Sequence, residues 1–184
     1  MIAPPPGHLR LVHGGVLRTL LPDDATAVAA AVRSSLDHLR PWMPWADERS
    51  SDPSFQRARI GGLADLAARN VEWQYGLFVE GDFFGSFGLM TRRGPGTLEI
   101  GYWLRADATG SGWATRAVAA LAATGAAVAG VDELWIVCDE ANERSAAVAR
   151  RCGFTLRRVE ERAPECPGET GRLLIFIRPA AEVP

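Results

Sequence analysis

Residues 105–114, with the sequence RADATGSGWA, have the composition of a loop that binds phosphate groups. Gly110 and Gly112 flank a small serine, and glycines let the backbone approach a ligand closely. The loop follows a run rich in β-forming residues at Thr97–Leu104 and precedes an alanine-rich run that begins near Trp113. It therefore joins a predicted strand to a predicted helix.

The start of the predicted helix supplies the chemistry that such a loop needs. The first backbone N–H groups of a helix lack partners inside it and lie at the positive end of its dipole, so they attract a phosphate. Arg116 stands in the first turn, where a cation is unfavourable unless an anion lies nearby. An ordinary glycine turn is the alternative interpretation of the same residues.

Two common nucleotide-binding motifs do not fit this loop. It lacks the lysine, followed by serine or threonine, with which a P-loop contacts phosphate and magnesium. A dinucleotide motif would follow the first strand and would have a third glycine where this chain has Thr115. The ligand class that remains is a pyrophosphate compound that serves as a carrier.

Length and composition limit the classes of protein to which the chain can belong. The chain has 184 residues, 47% hydrophobic and 23% charged, which predicts one globular domain over residues 1–184 with residues 1–7 flexible. A net charge of −2 argues against nucleic acid as a partner. No signal peptide or membrane-spanning run is evident, which predicts a cytoplasmic protein without a membrane partner. Cys138, Cys152 and Cys166 show no metal-binding spacing, so no metal is expected.

Hydrophobic periodicity and turn residues predict the α/β order β-α-α-β-β-β-α-β-α-β-β, which is typical of a central mixed sheet with helices on both faces. The predicted helices cover residues 25–36, 52–70, 113–128 and 142–152. The predicted strands cover one or two segments within 8–20, then residues 72–79, 83–90, 97–104, 133–138, 154–160 and 173–178. After the first helix, the two prolines of residues 39–45 predict a compact aromatic loop.

Several segments of this order resemble the GNAT superfamily of acyl-coenzyme-A-dependent N-acyltransferases, whose sheet is mostly antiparallel. The segments are the loop at 109–114, the strand residues 99–104, and residues 142–145 together with 151–154. With residues 39–45 included, the chain is most similar to the ribosomal-protein-alanine N-acetyltransferases of the RimJ/RimL type. The family loop usually opens with Gln or Arg, whereas this chain has Thr109 there.

The resemblance implies acetyl-coenzyme A as co-substrate. Backbone amides of residues 110–114 would hold its pyrophosphate, and the pantetheine arm would pair between diverging strands at 97–104 and 133–138. Asn142 would hold a carbonyl of the arm, although it could equally cap the following helix. The residues assigned to the co-substrate are Trp103, Leu104, Thr109, Gly110, Ser111, Gly112, Trp113, Ala114 and Asn142.

Two residues are assigned to the chemistry. The attacking amine must lose a proton, because alkylamines have a pKa of about 10 and are mostly protonated at neutral pH. Glu99 stands where several GNAT enzymes keep a glutamate that takes this proton directly or through water; a solvent-facing glutamate or an ion pair with arginine is the alternative. Ser145 is the predicted proton donor to the leaving thiolate, as the resemblance implies, and a core serine bonded to the preceding turn is the alternative.

The leading hypothesis is transfer of an acetyl group from acetyl-coenzyme A to a primary amine by direct attack, without an acyl-enzyme. The acceptor is a protein N-terminus or a small amine; Trp42, Trp45 and Tyr75 are predicted to line its pocket, with core packing as the alternative. Transfer of a larger acyl group and a non-catalytic module that senses acyl-coenzyme A are the other hypotheses. A two-fold homodimer is the default expectation for the oligomeric state.

Overall fold

The computed structural model describes residues 4–180, and eight strands within this range form a single sheet. They are β1 (His8–Arg10), β2 (Gly15–Thr19), β3 (Glu72–Val79), β4 (Asp82–Met90), β5 (Thr97–Leu104), β6 (Glu133–Asp139), β7 (Thr155–Glu161) and β8 (Arg172–Pro179). Their spatial order is β1-β2-β3-β4-β5-β6-β8-β7, and of the neighbouring pairs within residues 4–180 only β5 and β6 are parallel. The predicted mixed and mostly antiparallel sheet is confirmed.

Six α-helices lie between residues 4 and 180: α1 (Ala25–Arg33), α2 (Leu36–Leu39), α3 (Pro53–Gly61), α4 (Leu63–Ala68), α5 (Trp113–Ala126) and α6 (Glu143–Arg151). The helix predicted over 25–36 ends early, because Ser35 leaves the helical conformation and its buried hydroxyl accepts the N–H of Ala106 at 3.0 Å. The helix predicted over 52–70 is divided at Gly62, since glycine is a poor helix former and this one follows another glycine. Both later helices agree with prediction to within two residues. None of the helices described is long and apolar enough to cross a bilayer.

Helices cover both faces of the sheet. On one face, Leu121 of α5 packs in the main core with Ile100 and Leu134 from β5 and β6. On the other face, Val28 of α1 packs in a smaller core with Phe83 of β4. This arrangement is the two-sided coverage that the order of elements predicts.

The N-terminal residues are tied to the sheet. The N–H of Thr19 donates to the Gly7 carbonyl at 2.9 Å, and the Tyr75 hydroxyl donates to the Pro6 carbonyl at 3.1 Å. Residues 6 and 7 therefore take part in hydrogen bonds with the sheet, and the flexibility of residues 1–7 stays a prediction. Residues 1–3 of that prediction lie outside the described range.

The two parallel strands are paired for only a short distance. Residues 97–99 of β5 lie opposite residues 133–135 of β6, and no later pair of these strands forms in the described chain. Beyond this point β5 stays bonded to β4 as far as Leu104, whereas β6 follows β8 as far as Asp139. The strands therefore diverge, and a gap with unpaired strand edges opens in the middle of the sheet.

Gly85 of β4 is a position where the sheet is sensitive to added volume. A Cβ there would lie 2.2 Å from the carbonyl oxygen of Trp103 and 2.9 Å from the Cα of Leu104. Because both are backbone atoms of the neighbouring strand, we expect Gly85→Ala to lower the free energy of unfolding by about 2–3 kcal/mol in urea titrations. Gly88→Ala in the same strand is the matched control, since its Cβ would have its nearest neighbour at 3.6 Å. Equal stability of the two variants would contradict the observed register of β4 and β5.

Candidate active site

The loop that precedes α5 leaves its backbone amides without partners. Gly110 and Gly112 have φ angles of +80° and +79°, a left-handed conformation that favours glycine. The N–H groups of residues 110–114 donate to no acceptor within residues 4–180. They lie at the start of a helix of 14 residues, where the helix dipole is positive. The geometry is that of an anion-binding site.

Contacts on both sides hold the loop in this shape. The hydroxyl and the N–H of Thr109 both donate to the Ala106 carbonyl, at 2.8 and 3.3 Å. The Arg116 guanidinium lies 4.7 Å from the centre of the Trp113 ring and donates to the Ser111 carbonyl at 3.0 Å. These contacts fix a positive charge beside the loop, which adds to the attraction for an anion.

The gap between β5 and β6 opens into two cavities. The larger, which we call the loop cavity, has a volume of about 980 Å³ and is bounded by the glycine loop and the start of α6. The smaller, which we call the acidic cavity, has a volume of about 520 Å³ and is bounded by β3, β4 and β5. The residues that line both cavities are Trp42, Met43, Tyr102, Trp103, Asn142 and Ser145. The two cavities therefore meet where the strands diverge.

Most of the residues predicted to bind the co-substrate surround the loop cavity. Those that line it are Trp103, Leu104, Thr109, Gly110, Gly112, Trp113, Ala114 and Asn142. Ser111 is exposed and does not line the cavity. Eight of the nine predicted residues therefore line the same cavity.

Asn142 caps α6. Its Oδ1 atom accepts the N–H of Ser145 at 3.1 Å, which satisfies one of the first N–H groups of that helix. The side-chain amide of Asn142 donates to no acceptor within residues 4–180, and the residue borders both cavities. The capping role uses one end of the amide and leaves the other end for a ligand.

Ser145 lies beside Tyr102 at the junction of the cavities. Their hydroxyl oxygens are 2.9 Å apart, and the Tyr102 ring stacks on Phe87 with 5.8 Å between ring centroids. Burial raises the pKa of Tyr102, so the phenol stays protonated and can donate to Ser145. Tyr102 is a site residue that the sequence pattern does not reveal; the available signal is a phenol in a buried strand, whose hydroxyl needs a partner.

Two buried cysteines lie near the junction, and Cys138 lines the acidic cavity. Burial raises the pKa of the Cys138 thiol to about 11, against the opposing effects of a hydrogen bond with Ser145 and the charge of Arg150. Burial also raises the pKa of the Cys152 thiol. Both groups remain thiols at neutral pH, and the thiol form is a weak nucleophile.

Glu99 forms ion pairs with two arginines. Its side chain is only 3% exposed, one carboxylate oxygen accepts an N–H of Arg92, and the other accepts an N–H of Arg93. The ion-pair interpretation of this glutamate is therefore the one that the geometry favours. Glu99 nevertheless borders the acidic cavity.

The aromatic residues predicted for the acceptor pocket divide into two groups. Trp42 and Trp45 line the acidic cavity, and the Trp45 ring lies 5.7 Å from that of Trp103. Tyr75 is only 2% exposed within the main core and lines neither cavity, so its prediction is corrected. The cause is strand alternation, because its neighbour Gln74 lines the acidic cavity and Tyr75 faces the opposite side of β3.

A charged segment at residues 162–171 closes one side of the acidic cavity, and the sequence pattern does not reveal it. Arg162 pairs with Glu169 at 2.8 Å, and both line the cavity. The N–H of Gly168 donates to the Pro41 carbonyl at 3.1 Å, which joins the segment to the aromatic loop. The only sequence signal is the alternation of opposite charges just before the last strand.

Carboxylates outnumber guanidinium groups around the acidic cavity. The charged side chains that line it are Glu72, Glu99, Asp139, Glu165 and Glu169 with Arg92, Arg93 and Arg162. This excess of negative charge favours a cationic ligand, such as a protonated amine. Among residues 4–180, no group of three or more histidine, cysteine or acidic side chains is placed to hold a metal ion.

Asp139 anchors the charged segment to the end of β6. Its buried carboxylate accepts the N–H groups of Ala141, Thr170 and Gly171 at 2.9, 3.0 and 2.9 Å, and the Thr170 hydroxyl at 3.1 Å. Burial acts to raise the pKa of Asp139, but these hydrogen bonds outweigh it and hold the pKa below its ordinary value. The carboxylate is therefore charged at neutral pH.

Comparisons with known proteins place this geometry in context. The family model described as Acetyltransferase (GNAT) domain matches residues 16–155. RimL, a ribosomal L7/L12 alpha-N-protein acetyltransferase solved with coenzyme A, shares 22% identity over 94% of this chain and 97% of its own, with a TM-score of 0.84. Mycobacterium smegmatis RimJ, solved with CoA-disulfide, shares 24% identity over 97% of this chain and 88% of its own, with a TM-score of 0.86.

The microcin C7 self immunity acetyltransferase MccE, solved with acetyl-CoA and AMP, shares 21% identity over 95% of this chain and 97% of its own, with a TM-score of 0.85. At these identities the structural likeness establishes a common fold. No curated protein sequence matches the chain.

The anchor at Asp139 predicts a pH-dependent stability. Asp139→Asn should lower the free energy of unfolding near neutral pH by about 2 kcal/mol, because a buried charged acceptor of hydrogen bonds is lost. Since the folded pKa lies below the unfolded one, this stabilisation is complete above the ordinary aspartate pKa of about 3.9 and is lost as the pH falls through the folded value.

Urea titrations of parent and variant, near neutral pH and in acid, should therefore show a difference that narrows in acid. Asp82→Asn, at an exposed aspartate of β4, is the control and should show little difference at either pH. A difference for Asp139→Asn that stays constant with pH would contradict the role of its charge.

Proposed function

The chain belongs to the GNAT acetyltransferase family, and from this premise we propose that it transfers an acetyl group from acetyl-coenzyme A to a primary amine. The transfer takes place by direct attack of the amine within a ternary complex. The loop cavity holds the donor, the acidic cavity holds the acceptor, and the two substrates meet where β5 and β6 diverge.

The unpartnered N–H groups of residues 110–114 carry this proposal. A diphosphate satisfies several adjacent donors at a helix start, and the coenzyme supplies one. The free edges of β5 and β6 offer backbone donors and acceptors to the amides of the pantetheine arm, as a neighbouring strand would. The complexes of RimL with coenzyme A and of MccE with acetyl-CoA, on the same fold, support this choice of ligand.

The protein contributes mainly by holding the amine against the thioester. Proximity and orientation of two bound reactants account for a large part of the rate enhancement in such reactions. Cys138 and Cys152 stay protonated, which supports direct attack without an acyl-enzyme. When the tetrahedral intermediate collapses, Ser145 gives its proton to the departing sulfur and regains one from water in the acidic cavity, which has received the proton of the amine. Tyr102 stays protonated and donates a hydrogen bond to the serine oxygen.

The proton of the attacking amine must leave through the acidic cavity. Each oxygen of Glu99 already accepts a guanidinium N–H, so we assign to this carboxylate a transfer through water and not by direct contact. The surrounding carboxylates stabilise the ammonium form of the acceptor as it enters. Glu99 thus has both a structural and a chemical part in the proposal.

The acceptor that fits this cavity is a primary amine on a molecule of positive or neutral charge. Protein N-termini and small amines both meet this requirement. RimL is described as an alpha-N-protein acetyltransferase, which favours a protein N-terminus, whereas MccE is described as an immunity acetyltransferase. Trp42 and Trp45 supply flat apolar walls on which the rest of the acceptor can pack.

The assignment of the loop predicts a specific effect of Gly110→Ala. The variant should bind acetyl-coenzyme A at least about tenfold more weakly in isothermal titration calorimetry, because a side chain at positive φ distorts the loop that holds the diphosphate. Gly130→Ala is the matched control: Gly130 has φ of +84°, and nothing lies within 4 Å of the added Cβ at either position. Both variants carry the same backbone strain, so equal affinities would contradict the assignment.

The assignment of Ser145 predicts a loss of turnover without a loss of binding. Ser145→Ala should lower kcat by about 100-fold, as expected for a missing general acid, and leave the affinity for acetyl-coenzyme A unchanged. Tyr102→Phe should lower kcat by less, since it acts through Ser145. The assay is release of free thiol from acetyl-coenzyme A with a panel of peptides and small amines.

Ser111→Ala is the matched control, because this exposed side chain borders neither cavity. Equal turnover of Ser145→Ala and Ser111→Ala would contradict the role of Ser145. Binding of the donor without thiol release for any amine would instead favour a sensing module.

A further inference from the structure

Strand β7 forms one edge of the sheet, and its outer side has no neighbouring strand within residues 4–180. All its residues except Glu160 are exposed. An edge strand presents unpaired N–H and C=O groups to any other strand that matches it. The sequence of β7, TLRRVEE, places two arginines before Val159 and two glutamates after it.

Symmetry limits how two copies of β7 could pair. In an antiparallel pair of strands, hydrogen-bonded and non-hydrogen-bonded residue pairs alternate. A two-fold axis between two adjacent pairs would make these unlike pairs equivalent. The axis must therefore pass midway between one residue and its own copy on the second strand. The possible registers are therefore defined by a single central residue.

Val159 is the central residue at which the charges match. With Val159 facing its own copy, Arg158 faces Glu160 of the second copy, whereas Arg157 stands at a bulge and takes no part in the register. A centre on any of the four charged residues would instead place two like charges directly opposite each other, which is unfavourable. Centres earlier in the strand pair no opposite charges.

The ion pairs within the chain fit this register. Arg158 and Glu160 pair with each other along the strand at 2.7 Å, and they lie in its regular part. Both charges therefore point to the face that a second copy of the strand would share. A second copy of this chain would place each of these two charges beside its opposite in the neighbouring strand as well.

The exposed apolar side chains of β7 also favour a second copy of the chain as the partner of this edge. Leu156 and Val159 are 49% and 40% exposed, which is high for large hydrophobic residues. They lie opposite Phe176 and Leu174 of the main core, hence on one face of β7, because a bulge at Arg157 separates them. A second strand paired about Val159 would bring the two Val159 side chains into contact.

We propose that two copies of the chain pair antiparallel along β7, with the two Val159 residues facing each other across the two-fold axis, so that two sheets become one. The contact is distinct from both cavities and does not depend on the proposed function. Charges and a bulge are also devices that keep an edge strand from pairing, so a monomer is the competing outcome.

Charge reversal tests the register. Sedimentation at micromolar concentration should show a dimer for the parent. Arg158→Glu and Glu160→Arg, each alone, should weaken dimerisation by at least about tenfold, since symmetry makes each reversal act at two pairs. An equimolar mixture of the two variants should restore it, because the register then pairs two glutamates of one chain with two arginines of the other. Circular dichroism of each variant establishes that it is folded.

A cysteine at the axis provides an independent test. Val159→Cys should form a disulfide-linked dimer under mild oxidation, because residues directly opposite in antiparallel strands have Cα atoms about 4.5–5.5 Å apart, within disulfide range. Val71→Cys is the matched control, since Val71 is 39% exposed and lies far from β7 in the sheet order. It should remain monomeric on reducing-agent-free gels.

Three results would overturn the proposal. The first is a parent that sediments as a monomer, even if its β7 amides become protected from hydrogen exchange when a foreign peptide is added. The second is a failure of the mixed variants to associate. The third is equal crosslinking at positions 159 and 71. Acetyl transfer plays no part in any of these measurements, so failure of the proposed function would leave them unaffected.

Discussion

The early end of the parallel pairing between β5 and β6 is the constraint on which the site depends. The two strands share pairs only over residues 97–99 and 133–135, and each then follows its other neighbour. Strand edges inside a sheet are otherwise satisfied by the next strand, so a gap leaves donors and acceptors for an extended ligand. Both cavities meet at this gap, and the proposed chemistry is placed there.

The second requirement is charge, and it differs between the two cavities. At the loop cavity, the amides of residues 110–114 and the guanidinium of Arg116 give a positive environment without an acidic partner for Arg116 among residues 4–180. At the acidic cavity, carboxylates are in excess. An anionic donor and a cationic acceptor are thereby drawn to opposite ends of one continuous space, which favours a ternary complex.

Local features of the site could be predicted from the sequence because they depend on neighbours along the chain. The glycines at 110 and 112, the helix start at Trp113 and the cap at Asn142 all follow from a few adjacent residues. Residue type assigns Tyr75 to the pocket, whereas the alternation of β3 places it with Trp73 and Leu77 on the face that meets the core.

Contacts between segments that are distant along the chain could not be predicted from the sequence. The anchoring of residues 170–171 by Asp139 joins positions about thirty residues apart. The ion pair of Glu99 is one of the sequence alternatives, and the turn between β4 and β5 decides that its partners are Arg92 and Arg93. Tyr102 meets Ser145 only because α6 packs against the diverging strands. Such partners are decided by tertiary packing, which single-chain periodicity does not encode.

Hydrogen exchange at the backbone amides of residues 110–114, followed with and without acetyl-coenzyme A, tests the central claim most directly. These amides have no partner within residues 4–180, so they should exchange rapidly in the free protein. Saturation with the donor should slow them by at least about tenfold, because the diphosphate becomes their acceptor. Saturating binding that leaves their exchange rates unchanged would contradict the account.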